Sequence, residues 1–509
     1  MNKPAKVYLV GAGPGDPGLI TVRGGECLRR AELVLFDYLV NPQLLDYAPP
    51  QAERICLGRH GQGKLWNQEE INRHMVSAAL QGRVVVRLKG GDPAVFGHLS
   101  EEIEALVEAG LEFEIVPGIT AALAASSYAG LPMTDRRLAS AVALVTGHET
   151  DKTEEMLDYL ALAVFPGTLV FYMGVTSAPR WTSSLIAAGK PPDTPAMIVR
   201  RCSWPNQFSA SCRLDEVASL LDQTRPHRIR PPALVIVGPV AQREAAWSWF
   251  TRRPLFGQTI LVTRAADQAS ALAAPLAELG AEVLFQPAIS ISAPADWSPV
   301  DAAIGRLKEF DWLVFSSSNG VQAFLQRVMQ HADLRQLAGC KLAAIGPGTA
   351  AELGRWNLKA DLVPETFVAE ALLQALKTQL PPNQPARCLL LRASRGREVL
   401  AEGLREAGAE VEQVVVYSST DIATPDADIL AALTEKRIQW ITVTSSAIAR
   451  SLVQLFGPHL NHAQLASISP VTSSTLRELG FTPAVEAKAY TMPGLIAAIQ
   501  QACQAESQP

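Results

Sequence analysis

Short apolar runs rich in Val, Ile and Leu recur between amphipathic stretches, and this alternation restricts the fold more than any other feature. In the front half they are 7–10 VYLV, 33–36 LVLF, 84–88 VVVRL, 113–116 FEIV, 142–145 VALV, 168–172 TLVFY, 196–199 AMIV and 234–237 LVIV. Continuous runs this short read as strands buried on both faces, and helical stretches between them imply an α/β architecture. Most of the runs end in a glycine, a proline or a polar residue. Those residues sit at the strand's carboxyl end, where open α/β sheets bind their ligands, so function is expected in those loops.

A chain of 509 residues exceeds one hydrophobic core, so several compact units are expected. Trp247–Gln258 (WSWFTRRPLFGQ) follows the last of these runs and precedes a new one, 259–264 TILVTR, which places a boundary there and makes 249–258 a short linker. Behind it the chain is duplicated. Trp312-Leu-Val-Phe-Ser-Ser-Ser matches Trp440-Ile-Thr-Val-Thr-Ser-Ser at an offset of 128 residues (312 to 440). Ile345-Gly-Pro-Gly-Thr matches Ile468-Ser-Pro-Val-Thr at an offset of 123 (345 to 468), as does the segment at Phe367 with that at Tyr490. Two similar α/β lobes follow. Each repeat ends a strand in Ser, Thr or Gly and then opens a helix, offering hydroxyls and free amides that suit anions. A cleft between the lobes is the expected site.

Hydrophobic residues at 48% and charged residues at 19% are ordinary for a folded globular protein. A net charge of −5 gives no basic field for nucleic acid, so an anionic ligand needs local arginines. Seven scattered cysteines without a C-x-x-C pair argue against disulfides or zinc and for a reduced, cytoplasmic setting. The stretch MNKPAK leads straight into an apolar strand without a signal peptide's apolar region, and no apolar run approaches a membrane span.

Gly11-Ala-Gly13-Pro14-Gly15-Asp16-Pro17-Gly18 follows the first run. A dinucleotide loop is disfavoured there, because Asp16 replaces the third glycine and prolines stiffen the expected helix start. A second cluster, Arg87-Leu88-Lys89-Gly90-Gly91-Asp92-Pro93-Ala94-Val95-Phe96-Gly97, is one a dinucleotide site does not need. Adjacent glycines let backbone groups approach a ligand closely. Pro117-Gly118-Ile119-Thr120-Ala121 and Thr146-Gly147-His148 end two further runs.

VGAGPGDPGLIT, VLFDYLV, QEEIN, VVRLKGGDPAVFG, FEIVPGITAA, YAGLPMT and TLVFYMG, in this order over residues 5–248, resemble the tetrapyrrole methylases, and within them uroporphyrinogen-III C-methyltransferase. The resemblance implies two lobes, about 1–117 and 118–248, with S-adenosylmethionine between them, and a homodimer formed through this half. It implies methyl transfer to C-2 and C-7 of uroporphyrinogen III, giving precorrin-2. Carried over to this chain, it makes Pro14, Gly90, Gly91, Asp92, Val95, Thr120, Ala121, Met173 and Cys202 cofactor contacts and Asp37 the proton acceptor. Asp37 also suits a helix cap, and Met173 suits core packing. Three segments depart from the family. Gly58-Arg59-His60-Gly61 stands where Gly-Lys-Arg is usual, so Arg59 is read as binding a substrate carboxylate, since arginine does not readily give up a proton. Gly97-His98-Leu99-Ser100-Glu101-Glu102 replaces Gly-Arg-Gly-Gly-Glu-Glu, and Arg200-Arg201-Cys202-Ser203 replaces Glu-Arg/Asn-Gly-Thr.

TILVTRAADQASALAAPLAELGAEVLFQPAI, DWLVFSSSNGVQAF, AAIGPGTAAEL, VPETFVAEALLQAL, LLLRASRGREVLAEGLREAGAEVEQVVVYSS and ITVTSSAIARSL, over about 257–502, resemble uroporphyrinogen-III synthase. This implies a unit over 259–502, with one lobe of 259–290 plus 420–502 and another of 291–419, before a tail at 503–509. The implied reaction closes hydroxymethylbilane with inversion of the last ring. That work is chiefly conformational, so neither a nucleophile nor a metal is required. Ser316, Ser318, Gly346, Thr444 and Ser445 are the expected substrate contacts. Arg264 and Arg392 are carboxylate candidates, and Tyr417 would assist departure of the hydroxyl, though it equally suits a strand tyrosine in the lobe interface. Ser469 stands where the family has glycine.

The reading is a cytoplasmic bifunctional enzyme acting on small-molecule tetrapyrroles, using S-adenosylmethionine and no metal, with no nucleic acid or membrane partner. Alternatives are a methylase acting on another corrin precursor, and a back half that only binds tetrapyrrole. A siroheme synthase that also oxidises and chelates is disfavoured, because no separate dinucleotide domain is present.

Overall fold

A computed structural model describes residues 6–58, 66–147, 157–224, 228–242, 247–381, 384–396 and 398–506. The chain divides into two compact units, Met1–Gly257 and Gln258–Pro509. Among the described residues no helix is long and apolar enough to cross a membrane.

The first sheet of the front unit contains β1 (Lys6–Gly11), β2 (Leu33–Phe36), β3 (Glu53–Cys56), β4 (Val85–Lys89) and β5 (Glu112–Val116), in the order β3-β2-β4-β1-β5. All its pairings are parallel. The two-residue period of a strand sends Val7 and Leu9 into the core on one face and Tyr8 and Val10 into the core on the other. On one face lies Gln68–Leu80, opened by a capping box between Asn67 and Glu70 that satisfies two otherwise unpaired amides. The order β4-β1-β5 brings three glycine-bearing strand ends together.

The second sheet contains β6 (Val142–Thr146), β7 (Thr168–Tyr172), β8 (Pro195–Arg200), β9 (Phe208–Arg213) and β10 (Ala233–Val237), in the order β6-β7-β10-β8-β9. Only β6 and β7 pair in parallel; the other joins are antiparallel. The segment expected as a linker instead packs onto this half. Phe250 is 2% exposed within its core, the Ser248 hydroxyl donates to the Tyr128 carbonyl at 2.9 Å, and the Trp249 indole donates to the Ser127 carbonyl at 3.0 Å. Aromatic side chains give the segment enough apolar area to dock rather than tether.

The back unit runs through β11 (Thr259–Val262), β12 (Glu282–Phe285), β13 (Ile289–Ser292), β14 (Trp312–Phe315), β15 (Lys341–Ala344), β16 (Arg387–Ala393), β17 (Glu410–Asp421), β18 (Trp440–Val443), β19 (Gln464–Ser467) and β20 (Val485–Glu486). They form two sheets, β12-β11-β18-β19-β20 and β13-β17-β16-β14-β15. The chain leaves the first sheet after β12, builds the second, and returns at β18. Trp312 lies beside Cys388, as Trp440 lies beside Ile260, so the duplication extends to β11 and β16 in circular order. Only the β13–β17 pairing is antiparallel. Each sheet has its own apolar core, around Phe324 in one lobe and Leu452 in the other.

Candidate functional site

The ends of β1, β4 and β5 touch at Gly11, Gly91 and Gly118. A Cβ on Gly11 would lie 2.5 Å from the Gly118 Cα and 2.7 Å from the Gly91 oxygen, and one on Gly118 would overlap that same oxygen. Backbone bonds lock the first two loops: Gly13 N–H donates to Gly91 O at 3.1 Å and Gly91 N–H to Gly13 O at 2.8 Å. Asp92 staples the third, accepting from Gly118 N–H at 2.9 Å and, through its other oxygen, from Ala94 N–H at 2.8 Å. Its carboxylate thus serves the loops themselves. Val95, half-buried, closes the Asp92 turn through its amide at 3.2 Å. Gly91 has φ +71, a left-handed backbone that favours glycine, and a Cβ there would meet Thr120 Cα at 3.9 Å and Ala121 N at 4.0 Å, ordinary contact distances. Two of the loops expected to hold the cofactor thus lie side by side, and their glycine backbone fits a ligand that backbone groups must approach closely.

Asp37 follows β2 beside this junction, its side chain 32% exposed. One carboxylate oxygen meets the Arg87 guanidinium at 2.6 Å, and the other accepts from Gly90 N–H at 3.2 Å. Arg87 also meets Glu102 at 3.0 Å, and Glu102 meets Lys89 at 2.6 Å. Arg87, Glu102 and Lys89 are all buried. Burial opposes the charge on Arg87, but Asp37 and Glu102 outweigh it and hold the guanidinium pKa above its ordinary value. Burial, helped by Arg87, pushes the Lys89 ammonium down.

Thr120 is 8% exposed and precedes the helix Ala121–Tyr128. Its hydroxyl shares a 2.7 Å hydrogen bond with that of Tyr172, which also accepts from Ala122 N–H at 2.8 Å. Met173 follows at φ 52 and is 49% exposed, so it stands outside the core. Cys202 is 6% exposed and packed in the apolar core of its sheet, where burial pushes its thiol up to about 12. Its thiol is enclosed by protein.

The first glycine loop is clamped from the second lobe. The Trp204 indole N–H donates to Pro14 O at 3.1 Å, Asp16 N–H donates to the Ser203 hydroxyl at 3.0 Å, and the Tyr128 hydroxyl donates to Asp16 at 2.8 Å. Gly15, at φ +156, has no room for a Cβ against the Trp204 ring. Arg201 stacks over Trp204 at 4.4 Å, and Arg201 and Ser203 both adopt left-handed backbone. The 200–203 departure noted in the sequence is therefore where the two lobes of the front unit grip each other. Tyr128, Tyr172, Trp204, Arg87 and Glu102 were not marked individually by the sequence; charged residues inside a buried strand run were the available signal for Arg87 and Lys89. Arg59 and His148 lie outside the described residues.

In the back unit helices begin at the carboxyl ends of parallel strands, among them those at Ser318, Pro347, Ser446 and Pro470. Ser317 and Ser445 cap two of them, accepting from Gly320 N–H at 3.0 Å and Ile448 N–H at 3.2 Å. Ser316 is exposed, and Ser318 and Thr444 are half-buried. Ser469 also caps its helix, accepting from Thr472 N–H at 3.4 Å, so the serine found in place of glycine has a local use. Gly346 is packed instead: its Cβ would lie 3.0 Å from that of Phe367. Arg264 donates to Gln268 at 2.6 Å and lies against the Met492 sulfur at 3.3 Å. Arg392 pairs with Glu398 and donates to Gln413 at 2.9 Å. Tyr417 is 9% exposed, its hydroxyl 3.1 Å from the Ser317 hydroxyl, and burial pushes its phenol up. A cavity of about 250 Å³ lined by Trp297, Asn319, Gln322 and Tyr417, among others, opens beside it.

Residues 6–218 match the family of Tetrapyrrole (Corrin/Porphyrin) Methylases, and residues 270–497 match Uroporphyrinogen-III synthase HemD. Porphyrin biosynthesis protein HemD of Ruminiclostridium josui is 33% identical over 492 residues, 96% of this chain and 95% of that protein. Uroporphyrinogen-III C-methyltransferase of Bacillus subtilis (strain 168) is 38% identical over 350 residues, 68% of this chain and 71% of that protein. The S-adenosyl-L-methionine-dependent uroporphyrinogen III methyltransferase of Methanosarcina barkeri is 43% identical over 236 residues, 46% of this chain and 91% of that protein. Matched in both halves and along nearly all its length, the chain belongs to the family of fusions between a tetrapyrrole methylase and a uroporphyrinogen-III synthase.

Proposed function

We propose that the back unit cyclises hydroxymethylbilane to uroporphyrinogen III and that the front unit methylates this product at C-2 and C-7, giving precorrin-2. The observation that carries the reading is the junction of Gly11, Gly91 and Gly118, three glycine loops in backbone contact, beside the partly open carboxylate of Asp37. S-adenosylmethionine, when bound, supplies an electrophilic methyl group. Gly90, Gly91, Thr120 and Ala121 would hold it through backbone groups, with Pro14, Val95, Met173 and Cys202 around it. The pyrrole is electron-rich, so the chain's contribution is orientation, followed by removal of a proton by Asp37. Arg59 is assigned to a substrate carboxylate by residue type alone.

In the back unit the phenol of Tyr417, raised by burial, keeps its proton at neutral pH and can donate it to a departing hydroxyl. Ser316, Ser318, Thr444, Ser445 and the helix amino termini would receive carboxylates, with Arg264 beside them. We also propose a cytoplasmic homodimer formed through the front unit, where the edge strands β5 and β6 leave Ile115 and Leu144 each 39% exposed.

Feeding the protein hydroxymethylbilane anaerobically, with and without S-adenosylmethionine, tests both activities. Dimethylated type-III product is expected. Type-I uroporphyrinogen would sink the synthase reading, and unmethylated type III in the presence of the cofactor would sink the methylase reading.

A further inference from the structure

Arg87 and Lys89 are charged residues on a strand whose other members are apolar, and both are 3% exposed. Burying a charge is costly unless it is paired, and here the pairing is continuous: Lys89 to Glu102, Glu102 to Arg87, Arg87 to Asp37. Glu102 is 0% exposed, has one oxygen on each cation, and is approached by Gln68 Nε2 at 3.4 Å. Only Asp37, at the end of this chain of charges, is partly open to solvent. The guanidinium fork fixes the distance from the buried carboxylate to the exposed one, because a planar group donating on two sides cannot move toward one partner without leaving the other. The second Asp37 oxygen holds Gly90 N–H, so the same carboxylate is also tied to a glycine loop of the junction.

We infer that Glu102, acting through Arg87, is a positioning residue for Asp37, orienting the proton-accepting carboxylate without touching substrate or cofactor. The inference rests on the methyl-transfer reading above. A staple that merely attached the helix Leu99–Glu108 to β4 would have no need to end on a partly open carboxylate that also holds a glycine loop of the junction. Misplacing a catalytic group by about 1 Å costs on the order of 100-fold in rate, which sets the scale of the effect.

The test uses the full chain with uroporphyrinogen III and S-adenosylmethionine, comparing Glu102→Gln in the wild-type and Asp37→Asn backgrounds by single-turnover mass spectrometry. S-adenosylhomocysteine affinity reports whether the fold survives. Glu102→Gln is expected to lower kcat about 10- to 100-fold with that affinity within about twofold, yet to cost less than about threefold once Asp37 is already Asn, since residues acting as a unit are not additive. Where Glu102→Gln fails to bind S-adenosylhomocysteine, Arg87→Lys carries the same test, because an ammonium cannot reproduce the two-sided fork. An equal loss in both backgrounds, or an unchanged kcat, overturns the inference alone. A wild-type chain that transfers no methyl group overturns the methylase reading and this inference with it.

Discussion

Phe367 and Tyr490 hold equivalent positions in the two repeats (367 and 490, an offset of 123), and their rings meet edge-on with centroids 6.4 Å apart and planes at 87°. One belongs to each lobe of the back unit, so the pair closes one side of the cleft between them. The same Phe367 ring covers Gly346, which explains the glycine by packing rather than by ligand approach.

Edge-to-face pairs are worth about 0.5–1.5 kcal/mol beyond the area they bury. Tyr490→Ala is expected to cost about 1 kcal/mol, lowering the melting temperature of the back unit by about 2–4 °C. Calorimetry of the full chain checks this, and a melting temperature equal to wild type would mean that the ring contact contributes nothing.

Gly118 has no space for a side chain, because a Cβ would overlap the Gly91 oxygen and lie 2.7 Å from Gly11 Cα. Backbone lies on every near side, so nothing flexible can give way. Gly118→Ala is expected to spread the three strand ends, cost about 1–3 kcal/mol and weaken S-adenosylhomocysteine binding at least about tenfold. Titration calorimetry reads the second effect, and wild-type affinity would detach the junction from cofactor binding.

Burial pushes the Cys202 thiol from its ordinary 9.0 up to about 12. Below pH 9.0 the folded and unfolded chains both carry the neutral thiol, and the stability is fully present. As pH rises toward about 12 the unfolded thiol ionises and the folded one does not, so stability falls by about 1.4 kcal/mol per pH unit from this group. Denaturant unfolding of wild type and Cys202→Ala at pH 8 and pH 10 checks the sign: the variant is expected to lose less on the alkaline step. Equal losses would place Cys202 in a more open setting than its 6% exposure shows.

The central strands were legible as apolar runs, but the runs at 113–116 and 142–145, read as buried on both faces, form the edge strands β5 and β6, with Ile115 and Leu144 each 39% exposed. Strands β3 and β9 were not legible: ERIC and FSASCR lie at sheet edges with mostly exposed side chains, so no apolar run marks them. The duplication was legible by offset, and its extension to β11 and β16 emerged only from strand register. Glycine loops announced themselves by composition. The network behind Asp37 did not, since Arg87 lies 50 residues beyond it and meets it through the sheet, and Glu102 lies 65 residues beyond it on the covering helix and reaches it only through Arg87.

Tyr417 separates stability from chemistry more cleanly than its neighbours do. Its hydroxyl lies 3.1 Å from the Ser317 hydroxyl, while Ser317 caps the helix Ser318–His331 through Gly320 N–H at 3.0 Å. Tyr417→Phe keeps the ring in the apolar core and leaves the cap in place, so its cost in stability should stay near about 1 kcal/mol, the worth of one hydrogen bond. Ser317→Ala instead removes the cap and should cost about 0.5–2 kcal/mol. If the phenol donates a proton to the departing hydroxyl, Tyr417→Phe should lower the rate of type-III formation about 100- to 10,000-fold, the range for loss of a general acid. Hydroxymethylbilane left unconverted closes unaided to the type-I isomer, so the type-I fraction should rise as the type-III rate falls. Isomer-resolved chromatography over time measures both. A Phe variant that makes type III at the wild-type rate would leave Tyr417 a packing residue and make the hydroxyls and helix amino termini of the cleft the whole of the catalytic apparatus.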